Sequence, residues 1–266
     1  MKVSSGLPFR AFPFDSSQVT AVVTTRHGGV SAGVYGSLNL GGHVGDDPAA
    51  VTENRRRLAA ALGVDKLTIA DQKHTARVAV VDERLAGRGH GGAADAAAAL
   101  PATDAMITNL PGAALTILVA DCAPVVLYDP VRRAVGVAHS GRAGTIKGVI
   151  PQTVRAMAAT FGSAPQDLLI GIGPAIGAAS YEIGAAESAE VMAGFGDAGT
   201  RLLSPTRAGH ATFDLAAAIR RQLCTSGVPE GNVHDMAIDT RTSTDDFFSD
   251  RAARPCGRFA AIAILT

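Results

Sequence analysis

Three residues in this sequence have side chains that could do chemistry together: His74, Cys122 and His139. Cys122 follows the apolar run ALTILVAD, and His139 ends the run VGVAH. The stretch between them is long enough for a strand, a turn and a strand back, which would bring thiol and imidazole side by side at one sheet edge. His74, in Asp71-Gln72-Lys73-His74, precedes a further strand candidate. One cysteine with two histidines is a good ligand set for Zn2+ and leaves a fourth position for water or substrate. Such an open position marks a catalytic centre, where bound water is activated toward hydroxide. The same residues admit plainer readings. A lone cysteine after an apolar strand is often an inert buried thiol, and a Cys–His pair can also serve as nucleophile and base.

The elements that must position these residues mix short β-rich runs with amphipathic helices. Val19–Thr25 reads as a strand and leads into a Gly-rich loop. Asp46-Asp47-Pro48 signals a helix start, Val51, Leu58 and Leu62 share its inner face, and Gly63 stops it. Further strands are expected at 77–81, 105–108, 114–120, 125–128, 134–138, 168–172, 236–238 and 259–265. Residues 84–100, rich in Gly and Ala, read as a flexible loop. Ile146, Val149, Ile150, Val154, Met157 and Phe161 carry a helical period across 145–161, and Asp214 caps a helix to Cys224. Locally pairing strands between helices predict an α/β fold, a mixed sheet covered by helices, in a single domain over 1–266.

Composition narrows the function class. The chain has 266 residues, 47% hydrophobic and 18% charged, which supports a large core. The net charge is zero, so a nucleic-acid partner is not expected. No apolar run reaches membrane-span length, and the N-terminus does not read as a signal peptide. The three cysteines are odd in number and widely spaced, which fits a reducing, cytoplasmic setting.

Other polar residues are candidates for substrate contact. Arg26 ends a strand and enters the Gly-rich loop, where its forked donors could meet phosphate or ribose. Ser37 and Asn39 in GSLNLG could hydrogen-bond a sugar or phosphate, or simply close the loop's own turns. His43 could line the same pocket, and Asp121 could orient a ligand or water beside Cys122. The GIGPAIG turn lacks the Lys-Ser/Thr of a phosphate loop and reads as structural. Arg55–Arg57 reads as a solvated helix face, and Cys224 and Cys256 as ordinary thiols.

Longer motifs add a resemblance. TTRHGGVSAGVYGSLNLGGHVGDDPAAVTENRRRL, DQKH, ADCAPVVLYDP, VAHSGRAGT, GIGPAIGAASYEIG, FDLAAAIRRQL and FFSDR occur in that order. Together they resemble the YfiH-like family, also called the laccase-domain or polyphenol oxidase family and re-described as purine nucleoside phosphorylases. The resemblance implies that His74, Cys122 and His139 ligate zinc and that the fold is related to cysteine hydrolase-like (CNF-like) toxin domains. It implies phosphorolysis of adenosine, inosine, guanosine or methylthioadenosine, with adenosine deaminase as a second activity and purine nucleoside and phosphate as partners. Ligand type alone admits Cu2+ as well as Zn2+. The chain departs from the family in three places. Arg142-Ala143 stands where the family has Trp-Arg, so Arg142 would supply the charge from a shifted position. Ala175 with Ala179, and Asp239, stand where relatives often carry cysteine. The competing functions are copper-dependent phenol oxidation, a Cys–His hydrolase, and a non-enzymatic metal or nucleoside sensor. Seven histidines without His-x-His pairs weigh against a multicopper array.

Overall fold

The computed structural model describes residues 6–91 and 99–266. In chain order the strands are β1 (Phe9–Ala11), β2 (Val19–Thr24), β3 (Leu67–Ile69), β4 (Val78–Val80), β5 (Ala105–Thr108), β6 (Ala114–Val119), β7 (Ala123–Asp129), β8 (Ala134–Ser140), β9 (Leu169–Ile172), β10 (Glu182–Gly184), β11 (Leu203–Pro205), β12 (His210–Phe213), β13 (Val233–Asp235) and β14 (Phe259–Leu265). The helices are α1 (Pro48–Leu62), α2 (Arg142–Ile146), α3 (Val149–Phe161), α4 (Ala185–Phe195) and α5 (Leu215–Thr225). The strands form three sheets, in the orders β1-β2-β14-β6-β3, β13-β9-β7-β8-β5-β4 and β10-β12-β11.

The fold is mixed α/β, but it holds more than the one helix-covered sheet expected from sequence. The two large sheets face each other across a shared core, and helices cover only their outer faces. Strand alternation explains this layering, because successive side chains point to opposite faces. In β14, Ala261, Ala263 and Leu265 join the core between the sheets, whereas Ala260, Ile262 and Ile264 pack toward α1 with Leu58 and Leu62. In β7, Val126 and Tyr128 face the inter-sheet core, whereas Val125 and Leu127 meet Ile150, Val154 and Met157 of α3 and Ile219 of α5. Both faces of these strands are buried, so they read as continuous apolar runs.

Local signals account for the helix ends. The Asp47 side chain accepts from the Ala49 N–H with Pro48 at the first position of α1, and Gly63 closes the helix at φ 66°. Asp214 accepts from the Ala217 N–H at 2.8 Å and starts α5. The period across 145–161 is not one helix. It breaks at Gly148, whose φ of 84° belongs to the left-handed region, giving the short α2 and then α3. The strand expected at 236–238 lies three residues earlier, as β13, where Val233 pairs in parallel with Ile170. Residues 84–91 form turns, and 92–98 of the expected loop lie outside the described residues.

Arg55 corrects the solvated-face reading of Arg55–Arg57. Arg56 and Arg57 do pair with Glu53 at the surface. Arg55 is 4% exposed, and its guanidinium donates to the Leu40 carbonyl at 2.9 Å and the Gly89 carbonyl at 2.6 Å. It fastens α1 to two loops whose carbonyls are out of reach of water. Arg55→Ala is therefore expected to lower unfolding free energy by about 3 kcal/mol, because buried carbonyls lose charged donors. Chemical denaturation with a matched Arg56→Ala control, expected within about 0.5 kcal/mol of the parent, checks it; equal losses would disprove the buried role.

Candidate metal centre

The chain crosses from the first large sheet to the second twice at the same rim, and both crossings carry candidate ligands. Cys122 lies in the turn from β6 to β7. His74 lies in the loop from β3 to β4. His139, near the end of β8, is paired with Pro124 of β7, one step from the thiol's turn. One ligand atom from each of the three residues lies within 4.8 Å of the others, and the two imidazole centroids are 4.7 Å apart.

Asp104 fixes this arrangement, and sequence reasoning missed it. It immediately precedes β5, and its carbonyl accepts the His139 N–H at 2.7 Å. Its fully buried carboxylate meets Nδ1 of His139 at 2.8 Å. It also accepts the N–H groups of Lys73 at 3.1 Å, His74 at 2.9 Å and Thr75 at 2.7 Å, and the Thr75 hydroxyl at 2.8 Å. One side chain therefore orients the His139 ring and shapes the loop that presents His74. With Nδ1 committed, His139 has Nε2 left for a metal, the usual arrangement of a carboxylate-oriented ligand. Burial resists charge on Asp104, but the hydrogen bonds from His139 and Thr75 outweigh it and hold the carboxyl far below its ordinary range. Burial likewise opposes charge on His139, yet the neighbouring Cys122 charge and Asp104 push the imidazole up to about 9. The only sequence signal was an aspartate entering the apolar strand of PATDAMIT.

Backbone strain marks the same place. His74 has φ 54° and Asp121 has φ 80°, both in the left-handed region that side chains disfavour. Asp121 does not orient a histidine. Its carboxylate accepts the Thr240 hydroxyl at 2.7 Å and the Arg251 N–H at 2.6 Å, tying two loops to the thiol's turn. Gly141 follows β8, and a Cβ there would lie 2.5 Å from the Cys122 sulfur and 3.0 Å from Nδ1 of His74. The missing side chain leaves the space in which these donors converge. A thiolate and two imidazoles are also the right chemistry for Zn2+, so the residues fit the ion.

A cavity of about 370 Å³ opens on the three donors, within the size range of small-ligand sites. His43, Gln72, Lys73, Tyr181, Arg251, Arg254 and Arg258 line it with the ligands. Gln72 is fixed by a pair of hydrogen bonds to the Leu118 backbone, at 2.8 and 2.9 Å. Tyr181 packs against Phe213, and the Arg251 guanidinium lies 5.2 Å above its ring. Burial, and then the Cys122 charge, push the Tyr181 phenol up to about 12, so it remains an O–H donor. Tyr181 and Arg251 belong to the ASYEIG and FFSDR motifs, but sequence alone assigned them no task.

Three expected substrate contacts lie elsewhere. The Arg26 guanidinium donates to the Gly36 and Thr244 carbonyls, each at 2.8 Å, and stacks 4.5 Å above the Phe248 ring. The Ser37 hydroxyl bonds to the Arg26 carbonyl and the Gly29 N–H. Asn39 is fully buried, and its amide bonds Asp46, Gly41 and Arg258. These side chains brace the Gly-rich loop and tie it to residues 244–258, and none lines the cavity. Arg142 begins α2, pairs with Glu190 of α4 and hydrogen-bonds the Tyr181 phenol without itself lining the cavity. His43 reaches the cavity, as expected, and the GIGPAIG turn contributes only Ile176 to its wall.

Comparison with known proteins gives one consistent result. Residues 20–266 match the family model described as multi-copper polyphenol oxidoreductase laccase. The chain is 41% identical over 239 residues to purine nucleoside phosphorylase ORF3 of Streptomyces griseus, covering 89% of this chain and 90% of that protein. The crystal structure of the Bacillus licheniformis hypothetical protein YfiH superposes with a TM-score of 0.90 at 32% identity, covering 97% of this chain and 99% of that one. YlmD of Geobacillus stearothermophilus gives a TM-score of 0.88 at 33% identity, with 93% and 92% covered.

Two substitutions test the centre. Asp104→Asn is expected to weaken metal affinity about 10–100-fold, as loss of an orienting carboxylate does. Gly141→Ala is expected to reduce metal occupancy while the far-ultraviolet dichroism stays that of the parent. Competition against a chromogenic chelator measures both; parental affinity in the two folded variants would show that neither residue shapes the centre.

Proposed function

The chain belongs to the multi-copper polyphenol oxidoreductase laccase family, and on that premise we propose that it is a zinc-dependent purine nucleoside phosphorylase. The observation that carries this reading is the cavity itself, where two histidines and a cysteine share one chamber with an aromatic phenol and several cations. Relatives bearing the phosphorylase name support the same reaction here. Among the described residues, the only group of His, Cys, Asp and Glu able to hold a metal is His74, Cys122 and His139. A laccase passes electrons through several copper sites, so this single centre favours non-redox chemistry despite the family's description.

In phosphorolysis, a phosphate oxygen forms a bond to the anomeric carbon as the glycosidic C–N bond breaks. The electron pair leaves with the purine, which takes up a proton, and the products are free base and ribose 1-phosphate. His74, Cys122 and His139 would hold the zinc, which when bound would supply Lewis-acid chemistry in the cavity. Asp104 keeps His139 and the His74 loop in place. Tyr181, held as a phenol, offers a hydrogen-bond donor to a substrate heteroatom. The cationic side chains counter the charge of phosphate. Adenosine deamination, in which water adds at purine C6 and ammonia leaves, is the second activity of this reading and uses the same cavity. The catalytic zinc-deaminase signature H-x-E with P-C-x-x-C is absent from the sequence, so this deamination relies on the present residues.

The decisive comparison is wild type against Cys122→Ala, with metal content and adenine release from adenosine plus phosphate measured on both. About one zinc per chain is expected in the parent, as one tetrahedral site implies. The variant should lose that zinc together with adenine release, by about a thousandfold or more. A metal-free parent that still depends on Cys122 would replace this reading with a Cys–His nucleophile. Oxidation of a diphenol, with adenosine untouched, would replace it with copper chemistry.

A further inference from the structure

We propose that the side of the cavity formed by His43, Lys73, Arg254 and Arg258 is an oxyanion subsite that takes inorganic phosphate. This deepens the phosphorylase reading and rests on it for the identity of the anion. The anion contact expected at Arg26 is thereby assigned instead to these four cavity-lining residues.

The geometry is a clamp. Asp250 holds two guanidiniums at once, pairing with Arg254 and, at 3.5 Å, with Arg258. Arg258 is further fixed by hydrogen bonds to the Cys256 and Gly257 carbonyls, both at 3.0 Å. Its aliphatic stem lies against Gly41, where a Cβ would come within 2.7 Å of Cγ. A glycine at that point lets the arginine lie down toward the cavity. The two forks are thus held before any ligand arrives, which limits the conformational entropy lost on binding.

Charge points the same way. Four cationic side chains, Lys73, Arg251, Arg254 and Arg258, face this cavity with three carboxylates, Asp71, Asp121 and Asp250. Those carboxylates are already engaged. Asp71 pairs with Lys73 at 3.0 Å, Asp121 binds Thr240 and the Arg251 backbone, and Asp250 is shared by two arginines. The surplus is positive. His43 opens onto this side, and its surroundings are Arg258, Lys73, Arg55 and Asp71; burial, then the first three of these charges, hold its proton off. A neutral imidazole there can still donate one N–H to an anion. Tyr181 belongs to a different neighbourhood, with Cys122, Arg142 and Arg251. That leaves the ring side for a purine and the Asp250 clamp for a tetrahedral anion.

The test is calorimetric titration of inorganic phosphate into the metal-loaded protein, comparing wild type, Arg254→Gln and His43→Asn. The Arg254 side chain is 75% exposed, so its loss is not expected to impair folding. Arg254→Gln should weaken phosphate binding about tenfold, the loss of one charge-assisted hydrogen bond. In the assay it should raise the phosphate KM similarly and leave the nucleoside KM within about twofold. Unchanged phosphate affinity in both variants would overturn the subsite even if base release is robust. Phosphate binding that weakens in Arg254→Gln without any base release would sustain the subsite and sink the phosphorylase reading. A nucleoside 5′-monophosphate that binds more tightly than phosphate, displaces it and loses affinity in Arg254→Gln would overturn free phosphate as the occupant.

Discussion

Removing a carboxylate from water costs several kcal/mol unless hydrogen bonds replace the lost hydration. Asp104 meets that condition with five donors: three consecutive backbone N–H groups, one hydroxyl and one imidazole. Everything else at the centre is arranged around those bonds. The three N–H groups fold residues 73–75 around the carboxylate, so the backbone that presents His74 is shaped by this one side chain. The imidazole bond sets which nitrogen His139 offers. Surface ion pairs such as Arg207 with Glu182 are worth about 1 kcal/mol or less. Asp104 carries far more, because breaking its contacts would leave charge and donors stranded in the interior.

The site's position follows from the sandwich. A chain that moves from one sheet to its facing sheet must turn sharply at the rim, and two such turns meet at one place. Turns of this kind accept left-handed backbone, and here His74 and Asp121 adopt it without being glycine. Each such residue costs about 1 kcal/mol or more. That cost is offset by Asp104 in the first turn, and in the second by the Asp121 bonds to Thr240 and Arg251. Strain and its compensation are therefore both local to the centre. The large apolar sheets supply the rigid base against which these loops are held.

How much of this the sequence displayed depends on where each signal is stored. Helix α1 was legible because Asp47, Pro48 and Gly63 act through their own backbone. The two-sided strands β7 and β14 were legible as apolar runs. Helix α4 was not, since Val191 is its one fully buried residue and an exposed helix has no strong apolar period. Broken helicity at Gly148 was hidden because the apolar spacing continues across the break. At the centre, the three candidate donors could be picked out by type and motif order. Asp104 could not, because its meaning lies in a partner on a neighbouring strand. Arg26, Ser37 and Asn39 look like ligand contacts in one dimension, yet in three they bond carbonyls and amides of the loop and of the C-terminal segment packed on it. Arg55 shows the same limit: a run of three arginines conceals which one the helix turns inward.

The surroundings of Arg142 follow the same terms. Arg142 occupies the first turn of α2, where the helix dipole disfavours a cation. Glu190 of α4 supplies the compensating charge, and the guanidinium also meets Tyr181. α4 also packs on α2 where Ile146 lies against Gly194, and it leads on from β10 in the small third sheet, next to Tyr181. The arginine therefore links the start of α2, which directly follows His139 and Gly141, to the wing that carries the aromatic wall. A shift of one position in this segment would alter the hold on Tyr181 before it altered the three donors, which are fixed independently by Asp104 and by the β7–β8 pairing. The geometry of the three candidate donors and that of the wall are thus separable in this fold, and substitutions in the wing can change the cavity wall while the His74–Cys122–His139 cluster keeps its shape.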